Sequence, residues 1–522
     1  MKKNIHRSLL VMVLVASMVF GLQLAAVACT DIVVGKEATT DGSVITSHTV
    51  DGRYDSRIQI IPAEDHEPGS MAPVYENIVY ADRMELEKLG EIPQAEQTYK
   101  YFHGAYPYAN EHQLIIGETT LGGDRKTTNS DEAIMTIEQL EVFALQRTKT
   151  AREAIKLMGR LAEEYGYRQS CYLGECLTVT DANEAWVFEI YGVGPLWSPE
   201  SGKPGAVWAA KRVPDDHITV VPNYSRIRHV DPDAEDMMCS DNYKQAAIDM
   251  GIYDPDSGEP FIWNRVYGDV EGKSSTRLWR VYSELAPSRE WDFEDTANYP
   301  FSIKPEKKVS VKDVITLFRD TAEGTYQDMA DAEAWYYENR DGEKVKSPLA
   351  TPQVTYMRPL LDIDYYRPIA RYYCSYYWVS QARDFLPDDI GGVLWFGLDN
   401  PENSPFIPMY VGTERVPESW KTLNRDKLDK NSAWWAFGLV DDAVNRRYQD
   451  LKPVVDEVLN PMQQHFYSMQ NIVEQKARYM YNNESPEAAR EFLTNHTNSL
   501  MHWAEDRYWE LSEELLYKTN NN

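Results

Sequence analysis

Cys29 is the residue of this 522-residue chain whose position best suits covalent chemistry. It follows a segment typical of a cleavable signal peptide, so cleavage would leave it at a new amino terminus. A thiol is a good nucleophile only as a thiolate, and its ordinary pKa is about 8.5. The α-amine of the same residue has a pKa of about 7.7–8.0 and can accept the thiol proton. Cys29 could therefore attack a carbonyl, form an acyl-enzyme and return the proton to a leaving amide nitrogen.

The segment before Cys29 has the three parts of a signal peptide. It begins with basic residues and no acid, and continues with an apolar run over residues 9–20. That run is shorter than the roughly 20 residues that span a bilayer. Small side chains at Ala26 and Ala28 predict that a signal peptidase cuts between Ala28 and Cys29. Since no later apolar run is long enough, we expect an exported protein, periplasmic or extracellular, without a stable membrane span.

Two other interpretations of Cys29 stay open on these residues. It could be the lipid-bearing cysteine of a bacterial lipoprotein, which would make the chain an anchored binding protein, or an ordinary exported cysteine. Lipoprotein sites usually carry Leu three residues before the cysteine, where this chain has Ala26. A polar tether also commonly follows, whereas here an apolar strand pattern over residues 32–34 begins almost at once. Both observations favour the interpretation of Cys29 as a nucleophile over that of a lipid-bearing residue.

The other cysteines are Cys171, Cys176, Cys239 and Cys374. An odd total in an exported protein leaves at least one thiol without a partner in the same chain. Cys171 and Cys176 are close enough for a local disulfide, and whether they form one is open. Burial is the simplest interpretation of Cys239 and Cys374. The spacing of Cys171 and Cys176 is not typical of a zinc site, and the sequence carries no phosphate-binding fingerprint. We therefore expect no metal and no cofactor.

The elements beside Cys29 should form a hairpin. A turn signal, Thr-Asp-Gly-Ser at residues 40–43, separates two apolar segments with strand character. Such a hairpin places Cys29 at the end of a sheet. It also brings His48 and Asp51, at the end of the second strand, to the same edge.

The hairpin sequence itself, CTDIVVGKEATTDGSVITSHTVDGR over residues 29–53, resembles the start of the dipeptidase A-type cysteine peptidases, which belong to the N-terminal-nucleophile hydrolase superfamily. Further segments resemble that family in the same order along the chain: residues 110–119, 145–154, 184–190, 205–214, 221–227, 299–302, 391–399 and 432–437. The resemblance implies an α+β fold, specifically an αββα four-layer sandwich. It also implies hydrolysis of short peptides, mainly dipeptides.

The resemblance further suggests which side chains assist the nucleophile. Asp51 matches the acid that holds the α-amine in related enzymes, although Asp-Gly is also a turn dipeptide. The amide of Asn223 could donate to an oxyanion, and Asn110 could supply a second contact. Arg226 could orient Asn223, bind a substrate carboxylate or pair with an acid. His48 stands where relatives commonly carry Arg, and its position predicts a strand residue at the surface.

The periodicity of the chain predicts amphipathic helices over residues 132–145 and 151–165, and half-buried strands around Val187 and Glu189. Toward the carboxyl end it predicts helices broken near Ser485. The domain organisation we expect is a signal peptide (1–28), a catalytic domain (29–445) and a carboxyl-terminal helical region (446–522).

Charge and composition exclude some functions. With 53 basic and 82 acidic residues the formal net charge is −29, which disfavours binding to nucleic acids and to anionic membranes. The 43% hydrophobic content is that of a globular protein. Within the same superfamily, an acylase for bile-salt-like amides is the alternative to a dipeptidase. The sequence leaves the oligomeric state open, homo-oligomers included.

Overall fold

The computed structural model of the chain describes residues 29–76, 78–79, 86–270, 272–353 and 357–520. The predicted signal peptide, residues 1–28, lies outside this part of the chain. Within the described residues, helices are combined with antiparallel strands, as in an α+β protein. The predicted fold class is confirmed at this level.

The strands are short and most lie in the first two thirds of the chain. In chain order they are β1 (Asp31–Val34), β2 (Ser47–Asp51), β3 (Gln59–Ile61), β4 (Glu64–Asp65), β5 (Met71–Glu76), β6 (Glu87–Pro93), β7 (Gln97–Thr98), β8 (Tyr101–His103), β9 (Pro107–Asn110), β10 (Ile115–Leu121), β11 (Gly174–Thr180), β12 (Ala185–Gly192), β13 (Ala206–Val213), β14 (Ile218–Val221), β15 (Met237–Cys239), β16 (Tyr336–Glu338), β17 (Lys344–Lys346), β18 (Cys374–Gln381), β19 (Val393–Leu398) and β20 (Ile407–Tyr410).

The helices lie between and after these strands. In chain order they are α1 (Ile137–Arg147), α2 (Ala151–Tyr165), α3 (Tyr243–Asp249), α4 (Trp263–Val266), α5 (Thr276–Leu285), α6 (Val311–Phe318), α7 (Arg358–Leu361), α8 (Asp388–Gly391), α9 (Ala433–Arg446), α10 (Tyr448–Asn483) and α11 (Pro486–Asn520).

Two antiparallel sheets position the amino-terminal strands. One has the order β15–β13–β12–β11–β10–β9–β8–β3, and the other has the order β2–β18–β19–β20. Strand β1 pairs with β14 and is also tied to β2, because Val34 and Ile45 exchange backbone hydrogen bonds and Thr30 lies opposite Thr49. The predicted hairpin is therefore confirmed, and it places Cys29 immediately before β1.

The two sheets meet along β10, which contacts both β1 and β2. Two polar contacts join them at this point. The hydroxyl of Thr119 donates to Asp31 at 2.9 Å, and the hydroxyls of Thr46 and Thr178 lie 2.8 Å apart. Helices contact both sheets, α1 and α2 on the larger one and α10 and α11 on β20.

The helix predicted over residues 151–165 is confirmed as α2, and its start has a clear local cause. Thr150 caps the first turn and forms a reciprocal capping box with Glu153. The helix predicted over 132–145 begins later, at Ile137, because Thr136 is extended. Its residues from Ile137 to Leu145 are all buried, so α1 is a core helix and not an amphipathic one.

Strand β12, which contains Val187 and Glu189, is buried along its whole length. The prediction of a half-buried strand is wrong here, because both of its faces are covered. Helix α2 contacts the strand, and the Glu189 carboxylate accepts hydrogen bonds from the backbone of Arg226 and Ile227.

The carboxyl-terminal helices α10 and α11 are separated at residues 484–485, where the sequence predicts a break. They pack against each other and against α9, and their buried residues belong to the same apolar core as the two sheets. Within the described residues, no helix combines the length and the apolar character needed to cross a membrane.

Candidate active site

The side chain of Cys29 is completely buried between the two sheets. Its sulfur donates to Oε2 of Glu118 at 3.5 Å. Burial raises the pKa of the Cys29 thiol well above its ordinary value, and the charges of Glu118, Asp51 and Asp31 add to this effect. A thiolate at this position therefore depends on a nearby proton acceptor or cation.

Glu118 lies on β10, in the middle of the larger sheet, and is buried. Its Oε1 atom accepts from the hydroxyl of Thr120 at 3.1 Å, which directs Oε2 toward the sulfur of Cys29. The neighbouring Glu175 is also buried, and burial together with Glu118 raises its pKa. Cys29 thus faces a layer of buried carboxyl groups.

Arg277 fixes the main chain of Cys29 from the opposite direction. Its Nη1 donates to the carbonyl oxygen of Cys29 at 2.5 Å, to the hydroxyl of Thr30 at 2.7 Å and to Oδ1 of Asn223 at 2.9 Å. Its Nη2 donates to the carbonyl of Pro222 at 2.6 Å. Burial, followed by the charge of Arg367, lowers the pKa of Arg277 to about 9. One guanidinium therefore joins the start of β1 to the loop after β14.

Asp51 lies at the end of β2, beside Cys29 as predicted. Its Oδ2 accepts from Arg367 at 2.6 Å, whereas Oδ1 is buried and has no hydrogen-bond partner among the described residues. The side chain thus has one oxygen held in place and a second oxygen available within the site.

Asn223 is also brought to Cys29. It has a positive φ of 66°, which Asn tolerates better than most residues. Its Nδ2 donates to the carbonyl of Thr120 at 3.0 Å, and its Oδ1 accepts from Arg277. Because an amide nitrogen has two hydrogens, one of them remains for a ligand.

Asn110 and Arg226 are placed elsewhere by the contacts of the described residues. The Asn110 amide donates to the carbonyls of Leu145 and Thr148, which uses both of its hydrogens. Arg226 donates to the carbonyl of Pro300 at 2.6 Å. No described contact joins Arg226 to Asn223, and the side chain that binds Oδ1 of Asn223 is Arg277.

His48 is buried, so the prediction of a surface residue is wrong. It lies on β2 opposite Asp31 of β1, and both side chains point toward β10. The Nδ1 atom of His48 lies 3.0 Å from Oδ1 of Asp31, and its buried Nε2 has no partner among the described residues. Burial raises the pKa of Asp31 to about 6, although His48 and Thr119 favour the carboxylate.

A cleft of about 770 Å³ adjoins these residues. Asn223, Arg277 and Arg367 line it at the end nearest Cys29, and Lys273 adds a further positive charge. Aromatic side chains supply much of the remaining wall, namely Tyr172, Tyr224, Phe293 and Tyr365. This lining suits a small ligand that carries both an anionic group and an apolar group.

Sequence reasoning did not select Glu118, Arg277 or Arg367 as site residues. A signal existed for Arg277, which lies in the first turn of α5 behind the capping residue Ser275. A cation is unfavourable at that end of a helix, so an Arg there indicates a tertiary contact. Glu118 and Arg367 have no comparable local signal.

The described residues include all five cysteines. All five cysteines are free thiols, so Cys171 and Cys176 do not form a disulfide in this structure. The sulfur of Cys171 instead lies 3.3 Å from the hydroxyl of Tyr106 and 3.5 Å from that of Tyr54.

Comparison with known proteins identifies a family and several relatives. The sequence profile described as Peptidase family C69 matches residues 28–460. Among individual proteins, the chain is 24% identical over 445 residues to the probable dipeptidase B of Streptococcus pyogenes serotype M1, covering 81% of this chain and 80% of the relative. It is 25% identical over 464 residues to the probable dipeptidase B of Lactococcus lactis subsp. lactis strain IL1403, covering 85% and 86%. It is 24% identical over 408 residues to the probable dipeptidase of Salmonella dublin, covering 74% and 81%.

Proposed function

We propose that this chain, which belongs to peptidase family C69, is an exported dipeptidase whose nucleophile is Cys29 at the mature amino terminus. Family membership makes the chain a peptidase, and relatives along most of its length are named as dipeptidases. The observation that carries the mechanistic part is the position of Cys29. It precedes the first strand, is fixed by Arg277 and is surrounded by polar groups beside a cleft.

The α-amine of mature Cys29 is the base in this mechanism. It accepts the proton of the thiol, and the thiolate then attacks the carbonyl carbon of the peptide. The ammonium group that results is stabilised by Asp51, whose buried Oδ1 has no partner among the described residues. Arg367 holds the other oxygen of Asp51 and so fixes the direction of the carboxylate. The amine later returns the proton to the leaving nitrogen, and water hydrolyses the acyl-enzyme.

Asn223 stabilises the oxyanion that forms during the attack. Its Nδ2 has a hydrogen free besides the bond to Thr120, and it borders the cleft. Arg277 accounts for its orientation, because the same guanidinium nitrogen binds Oδ1 of Asn223 and the carbonyl of Cys29. A preorganised donor of this kind is worth about 10²–10³ in rate.

The cleft selects short peptides in this proposal. Positive side chains that line the cleft, Arg367 and Lys273, attract the terminal carboxylate of a substrate. The aromatic wall binds an apolar side chain next to it. A dipeptide presents both groups within the length of the cleft, whereas a long chain would have to leave it.

Two further parts of the proposal concern the precursor and the fold. Cleavage by a signal peptidase after Ala28 exposes the α-amine and so creates the base, and the precursor is inert.

The two facing sheets and the helices that contact each of them support an αββα four-layer sandwich. A lipid anchor on Cys29 is disfavoured, because its completely buried sulfur leaves no room for an acyl chain.

A panel of dipeptides tests the function. The purified protein, with its amino terminus determined by mass spectrometry, should hydrolyse dipeptides, whereas Cys29→Ala should lose hydrolysis while keeping its fold. Cys29→Ser should retain only weak activity, because a hydroxyl is harder to ionise. Cys239→Ala is the matched control, since Cys239 lies on β15 away from the cleft and should leave the rate unchanged. Hydrolysis by Cys29→Ala, cleavage of bile-salt-like amides in place of dipeptides, or a lipid adduct on Cys29 would contradict the proposal.

A further inference from the structure

We propose that Cys29, His48 and Glu118 bind one zinc-like divalent cation, which inhibits the peptidase by occupying its nucleophile. The inhibitory part rests on the proposed function of Cys29. The sulfur, a ring nitrogen of His48 and a carboxylate oxygen of Glu118 all lie within 4.8 Å of one another, and the three side chains are buried. Thiolate, imidazole and carboxylate are the ligands that zinc prefers in proteins.

The separation of two of these ligand atoms fits a metal between them. The sulfur of Cys29 lies 3.5 Å from Oε2 of Glu118. Zinc bonds of about 2.3 Å to sulfur and about 2.0 Å to oxygen, at a tetrahedral angle, separate the two ligands by roughly 3.5 Å. The His48 nitrogen lies within 4.8 Å of both atoms, so it has to approach by at most about 1.5 Å to complete the group.

The contacts behind the ligands support the same conclusion. Metal-binding histidines nearly always give their second ring nitrogen to a carboxylate or a carbonyl, and Nδ1 of His48 lies 3.0 Å from Asp31. That contact leaves Nε2, which is buried and has no partner among the described residues. Glu118 is held in the same manner, with Oε1 bound by Thr120 and Oε2 directed at the sulfur. Since buried polar atoms usually have a hydrogen-bond partner, Nε2 is open to a ligand.

The charges around the cluster also favour a cation. Glu118 lies 3.5 Å from the sulfur of Cys29 and Asp31 lies 3.0 Å from His48, so two buried carboxyl groups stand at the cluster. A divalent cation neutralises the thiolate and the carboxylate together. On binding, the S–H bond breaks, the proton passes to solvent and a sulfur–metal bond forms. The fourth position is open to the α-amine of mature Cys29 or to water, and while the metal stays the sulfur cannot attack a substrate.

Cobalt(II) alone serves as the spectroscopic probe, with the purified protein and a reductant that does not bind metals. We expect one equivalent to produce a thiolate-to-cobalt charge-transfer band and the intense visible bands of four-coordinate cobalt. Both signals should disappear in His48→Ala and weaken in Glu118→Gln. Asp31→Asn should lower the affinity about 10–100-fold, because it removes the group that orients His48. His112→Ala and Cys239→Ala are matched controls and should bind cobalt as the unchanged protein does.

Inhibition is measured separately. Zinc should stop dipeptide hydrolysis at about one equivalent, a chelator should restore it, and Glu118→Gln should need at least tenfold more zinc for the same fractional inhibition. No charge-transfer band, or equal bands in the unchanged protein and in folded His48→Ala or Glu118→Gln, would overturn the site. Binding without inhibition would overturn the inhibitory role. Because the cobalt spectrum needs no substrate, a failure of the peptidase proposal, seen as hydrolysis by Cys29→Ala, is distinguishable from a failure of the metal site.

Discussion

The guanidinium of Arg277 donates to the main-chain carbonyl of Cys29 at 2.5 Å, although the two residues are 248 positions apart in the chain. Replacing it by Lys keeps the charge but removes the fork that also binds Asn223 and Pro222. We expect Arg277→Lys to lower kcat by about 10²-fold, since a displacement of the reacting groups by about 1 Å can cost that much. Steady-state kinetics on a dipeptide measure the effect.

Arg226→Lys is the control for this variant. Arg226 is equally buried but binds the carbonyl of Pro300 and contacts Tyr282. We expect it to lower the midpoint of thermal unfolding with a much smaller effect on kcat. A greater loss of kcat in Arg226→Lys than in Arg277→Lys would show that the assignment of the orienting residue is wrong.

Asn223 and Asn110 make a second pair. Asn223→Ala removes the proposed donor to the oxyanion and should lower kcat by about 10²–10³-fold, with little change in KM. Asn110→Ala removes bonds to Leu145 and Thr148 and should instead reduce the free energy of unfolding by about 1–3 kcal/mol. Kinetics and denaturant unfolding on both variants separate the roles. Equal kcat values in the two variants would count against Asn223 as the donor.

The stability of the protein should fall as the pH rises, and Glu141 contributes to this. It is buried on α1, and neither carboxyl oxygen has a hydrogen-bond partner among the described residues. Burial raises its pKa, and the charges of Glu118, Glu138 and Asp31 add to the effect. The folded protein therefore keeps a proton that the unfolded chain loses above a pKa of about 4.3. Its stabilising contribution is complete below that pH and is lost as the pH rises through the folded pKa.

Denaturant unfolding at pH 5 and at pH 8 checks this expectation. The free energy of unfolding should be greater at pH 5, and Glu141→Gln should reduce the difference, because the amide does not titrate. Glu141 changes the free energy of unfolding by at most about 1.4 kcal/mol for each pH unit over which it is protonated in the folded protein and ionised in the unfolded chain. Glu132→Gln, at an exposed position, is the control and should keep the full difference. An unchanged difference in Glu141→Gln would refute the role of Glu141.

The features that the sequence predicts well have local causes. The hairpin after Cys29 follows from a turn signal between two apolar segments, and α2 follows from the capping box of Thr150 and Glu153. Asp51 could be predicted from the sequence because it lies within the same hairpin. The start of α1 was missed because residues 137–145 are all buried. They therefore lack the period of about 3.6 residues between apolar positions that marks a helix at a surface.

The site residues that the sequence missed are brought in by tertiary structure. Glu118 comes from the centre of the larger sheet and Arg277 from α5, and neither is near Cys29 in the chain. His48 was expected at the surface of its strand, yet it is buried, because the rings of Tyr106, Tyr376 and Trp378 pack against it. Arg226 lies in the segment 221–227 that resembles the family, but its side chain binds the carbonyl of Pro300.

The most direct test of the central claim is the rate of dipeptide hydrolysis when Cys29 is no longer the first residue. Two forms are compared, one that begins at Cys29 and one that retains Ala28 before it, with both termini verified by mass spectrometry. Because general acid–base catalysis contributes about 10²–10⁴-fold, we expect kcat of the extended form to fall by at least about 10² while its fold and its thiol are retained. An extended form that hydrolyses dipeptides as fast as the form beginning at Cys29 would contradict the role of the α-amine as the base.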